Sequence, residues 1–595
     1  MKKQLIRYSG FLLCLSFVVA SCKKGGFLDQ TSTETLNQQK VFADSGYTFK
    51  FLNNLYTYSG QDIIPTRNTF INIPSGGNDV ACLEDMTTQS VSYYSAPQSV
   101  WVTGGYTANN GPVNNYYTKY YTMIRDANLY MKMVQNAPLS DAIKKRTAAE
   151  ARFLRAWYYA GLVRYYGGVT LVGDTTYSIT DVITNYKRNT FKECIDYIAS
   201  ECDAAAPNLP DVDQQLSSDY GRITSGACLA LKARMLLMAA SPLFNGTPAS
   251  SDPNIQPLIC YSVSFDPSFW QKAADAFKAV MDLKKYALYV DNNQVLGNGF
   301  RQLFLMRQNS EYILEYMVAP SAALESQRFP ASRGGSGYSS PTQNLVDQFG
   351  MANGLPITDP TSGYDPNKPY VNRDPRFYHT IIYNQASLYL ASSQKMMPVN
   401  SYSTLVNGTI TPATDAIQLG QYGKKTGYFS RKMANDSVST STSQNRVYPL
   451  IRYAEILLGY AECLNELNGP TSDVYRALQL IRERAGILPG NDNSYGLKPG
   501  LSKSQMRTII QSEYRVELAY EGHWFYDSRR WKIAETVENQ PMIGIQPVLQ
   551  SNGTYVYNRL NVYANAVFLN PTMYFMPIPL AEINKSPLMI QNPGW

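Results

Sequence analysis

The 595-residue sequence predicts a mainly α-helical fold, in which helical hairpins form a scaffold and a loop-rich subdomain of mixed structure lies against it. Apolar residues recur at helical spacing across residues 112–283 and again across 449–535. Between about 284 and 448 this spacing fades into sequence rich in Gly, Ser, Asn and Pro. So long an irregular insert is uncommon in compact domains and is usually functional.

The first 21 residues have the organisation of a secretory signal peptide. Three basic residues precede the apolar run FLLCLSFVVA, and the tripeptide Val-Ala-Ser comes directly before Cys22. This order resembles a bacterial lipobox, so we expect Cys22 to be acylated and to hold the protein to a membrane surface. The alternative is an ordinary cleavage site that happens to precede a cysteine.

The N-terminal helices are predicted in order from apolar spacing and from capping residues. A first amphipathic helix falls within 38–59, and residues 60–111 are predicted to be irregular loop with short strands. Pro112 is placed to open a helix that runs to about Asn136. Ser140 and Asp141 cap a second helix that runs to Tyr166, which completes one hairpin.

The remaining helices follow the same pattern on both sides of the long insert. The segment GRITSGACLALKARMLLMAAS is apolar on almost every side, so its helix should be deeply buried. The predicted helical ranges are 189–206, 221–240, 267–283, 449–467, 471–485, 502–520 and 523–533.

The stretch EYRVELAYEGHWFYDSRRW, residues 513–531, mixes carboxylates with large aromatics. Glu513, Glu517 and Glu521 recur every four residues, so on one helix they would share a side. Buried carboxylates need cationic partners, because an unpaired charge out of water is costly. The candidate partners are Arg452, Arg482, Arg484, Arg515, Arg529 and Arg530. We therefore predict a helical core held in register by ion pairs.

The carboxylates of this chain also have a possible catalytic interpretation. Glu517 with Glu521, or Glu455 with Glu462, could serve as the acid and base of a glycosidase. Helical spacing beside arginines favours structural pairing, since such enzymes raise the pKa of one carboxyl group in a cleft. No catalytic residue is therefore predicted.

Composition argues against several other classes of function. The net charge of +7 is modest for this length, and no basic run favours nucleic-acid binding. With only His379 and His523 present, no histidine-rich metal site is predicted and a catalytic triad has weak support. Beyond Cys14 and Cys22, the six remaining cysteines follow no metal or redox spacing. Cys194, Cys228 and Cys463 are predicted to be buried thiols, and disulfide pairing stays open.

An ordered set of motifs resembles the SusD/RagB family over nearly the whole chain. It comprises AEARFLRAWYYAGLVRYYGGVTLV (149–172), IRYAEILLGYAE (451–462), IRERAGI (481–487), the stretch 513–531 and the terminal QNPGW (591–595). The resemblance implies a tetratricopeptide-like scaffold. It also implies a glycan-binding lipoprotein on the outer-membrane cell surface, without catalytic activity, that passes an oligosaccharide to a SusC-like TonB-dependent transporter.

Sugar binding calls for aromatic faces on which rings stack and for planar polar groups that bond hydroxyls. The chain contains 46 tyrosines, and the segments expected to face a ligand are about 60–111, 284–448 and 536–575. The early loop supplies the candidates Arg67, Asn78, Asp79, Tyr93, Tyr94 and Trp101. The long insert supplies the weaker candidates Tyr338, Arg373 and Tyr402.

Trp101 is the leading candidate by analogy with family members, in which a tryptophan of this early loop faces the sugar. The alternative is that Trp101 pins its own loop to the scaffold. At the level of function, a surface glycoside hydrolase and a protein-interaction or adhesion module without a sugar site remain open. No cofactor is predicted, and a structural calcium ion is left open.

Overall fold

The computed structural model describes residues 37–61, 64, 82–92, 100–178, 181–419 and 423–595. The predicted signal peptide, Cys22 and the candidates Arg67, Asn78, Asp79, Tyr93 and Tyr94 lie outside the described residues. None of the helices within the described ranges is long and apolar enough to cross a membrane.

The described residues form eighteen α-helices. In chain order these are α1 (Gln38–Phe42), α2 (Ser45–Tyr56), α3 (Asn114–Met133), α4 (Asp141–Tyr166), α5 (Phe191–Ala205), α6 (Ser225–Ala240), α7 (Gln256–Ile259), α8 (Ser268–Asp282), α9 (Asn298–Gln302), α10 (Ala323–Arg328), α11 (Gln343–Val346), α12 (Pro375–Thr380), α13 (Tyr453–Asn468), α14 (Ser472–Arg484), α15 (Lys503–Glu517), α16 (Trp524–Arg530), α17 (Ala534–Val537) and α18 (Leu580–Lys585). The fold is helix-rich, as predicted.

The long helices pack on one another in a continuous stack. α3 packs against α4, α4 against α5, and α5 against α6. α6 then packs against α8, and α8 packs against α13, which also contacts α14 and α15. Local sequence sets the ends of these helices. Ser140 accepts a hydrogen bond from the Ile143 amide at the start of α4, and Thr190 with Glu193 forms a capping box on α5. This succession of helical hairpins is consistent with a tetratricopeptide-like scaffold.

Several predicted helix boundaries are wrong: the helix predicted from 221 begins at Ser225, and the one predicted to 533 ends at Arg530. Two others concern the buried ion pairs. Residues 449–452 belong to a strand rather than to the helix predicted from 449, because they pair with another strand before α13 begins. The helix predicted over 502–520 ends at Glu517, and Tyr520 has a φ of 61°. Glu521 is therefore presented by a turn and does not continue the helical row of carboxylates.

Twelve short strands complete the described fold. They are β1 (Ser90–Val91), β2 (Tyr312–Met317), β3 (Ser340–Pro341), β4 (Ile381–Ile382), β5 (Ser387–Leu390), β6 (Lys395–Pro398), β7 (Ser403–Val406), β8 (Thr409–Pro412), β9 (Phe429–Ser430), β10 (Val447–Arg452), β11 (Met542–Leu549) and β12 (Tyr555–Tyr563). β12, β11, β7 and β8 form one sheet in that order, and β11 runs antiparallel to β12 and parallel to β7. The other sheets have two strands.

The early loop and the long insert are joined in this structure. β1 pairs antiparallel with β3, and Ser339 donates a 2.7 Å hydrogen bond to the buried Asp85 carboxylate. Burial raises the pKa of Asp85 to about 6. The described part of the early loop thus lies beside the segment that contains Tyr338.

A buried ion network ties the insert to the C-terminal helices. Arg452 lies 2.7 Å from both Glu311 and Glu517 and 2.6 Å from Glu521. Further pairs join Arg484 to Glu311 and Glu517, Arg376 to Glu513 and Glu517, and Lys432 to Glu521. The predicted core of ion pairs is present, and three of the predicted partners pair with its glutamates, namely Arg452, Arg482 and Arg484. Arg530 pairs instead with Glu462 and Asp527, while Arg515 and Arg529 donate to backbone carbonyls. The cations of the core come from strands, loops and helices that are distant in sequence.

Candidate functional site

Two of the predicted sugar-binding residues are buried. Trp101 is 1% exposed and belongs to the main apolar core, a position that suits the alternative in which it pins its own loop. Arg373 is also 1% exposed, and its guanidinium donates hydrogen bonds of 2.6–2.9 Å to the carbonyls of Val346, Phe349 and Pro369. These bonds hold neighbouring loops together, so Arg373 does not present its charge to solvent.

The other two described candidates are partly exposed and lie in different settings. Tyr338 precedes β3, and its amide donates a 2.7 Å hydrogen bond to the Gln327 carbonyl. Tyr402 precedes β7, and its ring centroid lies 5.6 Å from that of Tyr555. Tyr402 therefore belongs to a wider group of aromatic side chains.

That group, here named the tyrosine platform, combines partly exposed rings with one ion pair. Its members are Tyr364, Tyr402, Tyr555, Tyr557, Asp347 and Arg559. The rings of Tyr402, Tyr555 and Tyr557 follow one another with centroid separations of 5.6 and 6.2 Å. The platform thus offers a row of aromatic faces along the outer strand of the four-stranded sheet.

The strand β12 sets the direction of three platform residues. Successive side chains of a strand point to opposite faces, so Tyr555, Tyr557 and Arg559 share one face. Tyr557 rests on the buried Tyr370, with ring centroids 5.4 Å apart, and burial raises the pKa of Tyr557 to about 12. This support fixes the orientation of the outer ring.

The polar end of the platform is a bidentate ion pair. Arg559 contacts the two carboxylate oxygens of Asp347 at 2.7 and 3.1 Å, and the side chain of Arg559 is 52% exposed. The Arg373 guanidinium lies 5.5 Å from the Tyr364 ring centroid and so supports the platform from beneath. The exposed guanidinium and the partly exposed carboxylate are available to hydroxyl groups that approach along the tyrosine row.

Of the six platform residues, only Tyr402 is among the sugar-binding residues predicted from the sequence. The signal for three others was present in the strand sequence YVYNRLNVY, where Tyr555, Tyr557 and Arg559 alternate with other residues. Tyr364 and Asp347 carry no local pattern of this kind. Their place on the platform depends on how the insert folds onto the sheet.

The carboxylates considered as glycosidase residues are arranged for structural pairing. Glu517 is fully buried, and its pKa is lowered because the neighbouring arginines outweigh the effect of burial. Glu455 lies 2.6 Å from Arg234, and Glu462 lies 2.6 Å from Arg530. A lowered pKa is the opposite of what a general acid needs at Glu517, and the arginine partners of Glu455 and Glu462 fit the structural interpretation.

Neither the histidines nor the cysteines assemble a metal centre in the described residues. No group of three or more His, Cys, Asp or Glu side chains is placed there to hold a metal ion. All six described cysteines are buried and free, as predicted for Cys194, Cys228 and Cys463. Burial and the charge of Arg431 lower the pKa of His379 to about 4.

Comparison with known proteins defines the family. A family model described as "SusD family" matches residues 303–595, and one described as "Starch-binding associating with outer membrane" matches residues 31–237. The chain belongs to the SusD/RagB family. The two matched ranges contain the tyrosine platform and most scaffold helices of this SusD-like chain, while α8 lies between them.

Three proteins that are similar to this SusD-like chain align over most of its length. "SusD-like protein P2" of Formosa agariphila is 24% identical over 501 residues, which cover 82% of this chain and 81% of that protein. A solved SusD-like protein from Bacteroides fragilis aligns with a TM-score of 0.72 at 23% identity, covering 93% of this chain and 98% of the other. A "SusD-like carbohydrate binding protein" from the same species aligns with a TM-score of 0.71 at 24% identity, with coverages of 92% and 99%. The SusD-like fold is therefore shared along the chain.

Proposed function

We propose that this protein binds an oligosaccharide noncovalently at the cell surface and that the tyrosine platform is part of its binding site. The observation that carries the proposal is the row of partly exposed tyrosines that ends at the ion pair of the exposed Arg559 with the partly exposed Asp347. Sugar rings stack their C–H faces on aromatic rings, while bidentate groups bond their hydroxyls. A SusD-like relative described as carbohydrate binding supports this class of ligand.

The proposal extends to the place of the protein in glycan uptake. Lipid attachment at Cys22 would hold the chain to the outer membrane, and the description "associating with outer membrane" of a matching family model supports that location. In the SusD/RagB family such proteins partner a TonB-dependent transporter. We infer that this chain captures a glycan and passes it to a SusC-like transporter.

Affinity electrophoresis of the mature chain through gels that contain a panel of polysaccharides tests the binding proposal. We expect one glycan to retard the wild type, and Tyr555→Ala to weaken the interaction by up to about tenfold, because a stacked aromatic contact contributes about 0.5–1.5 kcal/mol. The matched control is Tyr47→Ala, which removes an exposed tyrosine of α2 away from the platform.

The outcomes of this experiment are distinct. Retardation that is unchanged in a folded Tyr555→Ala variant would remove the platform from the proposed site. Failure of every glycan to retard the wild type would reject sugar binding and favour the interaction-module alternative. Release of new reducing ends from a bound glycan would instead establish the hydrolase alternative.

A further inference from the structure

A cleft of about 500 Å³ opens in the helical scaffold between the end of α6, the start of α8 and the helices α13 and α15. We name it the scaffold cleft, and its walls include Phe265, Trp270, Glu466, Arg507, Gln511 and Trp531. Its volume is within the range of pockets that hold small ligands. The scaffold cleft shares no residue with the tyrosine platform.

Trp270 presents an unpaired hydrogen-bond donor to the scaffold cleft, although the residue is only 3% exposed. Four other tryptophans donate indole hydrogen bonds to described residues, namely Trp157, Trp524, Trp531 and Trp595. The Trp270 N–H has no acceptor among the described residues, and it is not enclosed by protein as the Trp101 N–H is. It therefore faces the cavity that Trp270 lines. A donor held in this way favours a ligand that brings an acceptor.

Two further polar side chains of the cleft keep hydrogen-bonding capacity for a ligand. Arg507 Nε and Nη2 lie 2.6 and 2.5 Å from the two carboxylate oxygens of Glu466, and Nη1 of Arg507 has no acceptor among the described residues. The Arg507 side chain is 43% exposed. Gln511 follows four residues later on α15, so its amide lies on the same face of the helix, and no described residue bonds that amide.

Aromatic surfaces line the same cleft and are held in place. Phe265 is 63% exposed, and the turn that presents it is fixed by two 2.9 Å hydrogen bonds between Asp266 and Asn245. The Trp531 indole donates a 2.6 Å hydrogen bond to Glu462, which sets the orientation of its ring. A preorganised aromatic side chain at a cavity offers a face on which the C–H groups of another ring can stack.

The charged groups of the cleft lining balance one another. The lining contains two carboxylates, Glu462 and Glu466, and two cations, Lys503 and Arg507. Glu466 pairs with Arg507 and lies 3.8 Å from Lys503, and Glu462 pairs with Arg530 at 2.6 Å. No charge of the lining therefore needs a counter-ion from a ligand. The cleft suits a neutral molecule that has both apolar faces and hydroxyl groups.

A sugar ring is such a molecule, because its C–H groups and its hydroxyl groups lie on different faces and edges. We propose that the scaffold cleft binds one neutral sugar unit, with a ring face on Phe265 and hydroxyl groups at Trp270, Arg507 and Gln511. This would be a second carbohydrate site of the protein. It does not depend on the tyrosine platform, since the two sites are formed by different residues.

Titration of the mature chain with neutral sugars, followed by NMR of the indole N–H groups in isotope-labelled tryptophan, tests the proposal. The probes are the methyl glycosides of glucose, galactose, mannose and xylose. The tyrosine platform contains no tryptophan, so the Trp270 signal, assigned by its absence in Trp270→Phe, reports on the scaffold cleft. We expect at least one sugar to shift this signal in a saturable way, in the wild type and in Tyr555→Ala alike.

Two substitutions test the stacking surface and the polar side separately. Phe265 is exposed and Gln511 is partly exposed, so Phe265→Ala and Gln511→Ala should both fold. We expect each to weaken sugar binding about three- to tenfold, the range that follows from the loss of one stacked ring or one hydrogen bond. Tyr47→Ala is the matched control, because it removes an exposed aromatic ring that belongs to neither site.

The results that would overturn the proposal are specific. They are failure of every sugar to shift the Trp270 signal, and unchanged affinity in folded Phe265→Ala and Gln511→Ala variants. A response of Trp270 to glucuronate or glucosamine without a response to neutral sugars would also overturn it. Because loss of the platform in Tyr555→Ala should leave the Trp270 titration intact, failure of this site and failure of the platform are distinguishable.

The source of the sugar unit is decided by comparing each methyl glycoside with the corresponding free sugar. A unit within a glycan is substituted at its anomeric carbon, as the methyl glycoside is. Tighter binding of the methyl glycoside would support a site for a unit of a chain. Tighter binding of the free sugar would support a site for a monosaccharide.

Discussion

At the scale of single residues, the partner of each buried carboxylate decides what that carboxylate does. Glu517 is surrounded by Arg376, Arg452 and Arg484, which keep it ionised and lower its pKa. Asp85 is also buried and accepts a hydrogen bond from the Ser339 hydroxyl, and burial raises its pKa to about 6. Burial and the charge of the neighbouring groups together therefore decide the pKa of a buried carboxylate.

Substitution of Glu517 should destabilise the fold severely. Glu517→Ala leaves three buried arginines short of a counter-ion, and we expect the free energy of unfolding to fall by about 3–5 kcal/mol. Urea unfolding followed by circular dichroism measures the change. Asp282→Ala is the control, because its i,i+4 pair with Lys278 is exposed and should contribute little to the free energy of unfolding. Equal effects of the two substitutions would refute a structural role for the buried network.

At the scale of secondary-structure elements, close approach between helices depends on residues without side chains. A Cβ added to Gly161 of α4 would lie 2.4 Å from the Tyr120 ring of α3, and one added to Gly459 of α13 would lie 2.2 Å from the Phe277 ring of α8. These contacts are shorter than real carbon atoms tolerate. Both pairs of helices can therefore pack at their present separation only with glycine at the crossing.

Gly161→Ala should therefore destabilise the protein although alanine is the better helix former. We expect a loss of about 1–3 kcal/mol, since overpacking forces Tyr120 or the helix to shift. Ser200→Ala on the exposed side of α5 is the control and should change the free energy of unfolding by less than about 0.5 kcal/mol. Thermal unfolding of the two variants compares them. A stabilised Gly161→Ala variant would show that the α3–α4 crossing is looser than described.

The surface formed by the side chains of β12 also depends on the neighbouring strands. Its strand period places Tyr555, Tyr557 and Arg559 on one face, and this much follows from the sequence alone. The pairing of β11 with β7 brings Tyr402 to the same surface from more than 140 residues away. The binding site proposed for this protein is thus a property of the assembled sheet.

At the scale of the whole molecule, the ion network joins the insert, strand β10 and the C-terminal helices. Glu311, Arg376, Lys432, Arg452 and Glu517 come from separate parts of the chain and meet in one buried cluster. Protonation of its carboxylates would weaken the ion pairs that hold several of these elements together. The stability of the scaffold and the position of the loop-rich segments are therefore coupled to pH.

Acid should lower the stability of the whole protein through this cluster. The pKa values of Glu513, Glu517 and Glu521 are lowered by their arginine and lysine partners, so each carboxylate stabilises the fold fully above its ordinary pKa of 4.5. That contribution is lost as the pH falls from 4.5 through the lower folded pKa values. Urea unfolding midpoints should fall between pH 6 and pH 3, with a shallower fall in Glu517→Gln. A midpoint that is constant over this range would contradict the coupling.

The sequence by itself determined the helical scaffold, the buried character of residues 513–531 and the family. Apolar spacing and capping residues are local signals, so helix α4 begins at the predicted cap, Ser140. The sequence could not show that α15 ends at Glu517 or that residues 449–452 form a strand, because both depend on pairing and packing with distant segments.

Only the tertiary structure decided which side chains face solvent. Trp101 and Arg373 have the chemistry of sugar-binding residues, yet core packing and carbonyl partners bury them. Asp347 and Tyr364 carry no local signal and reach the tyrosine platform through the fold of the insert. Exposure depends on contacts between residues far apart in the chain, which local periodicity does not encode.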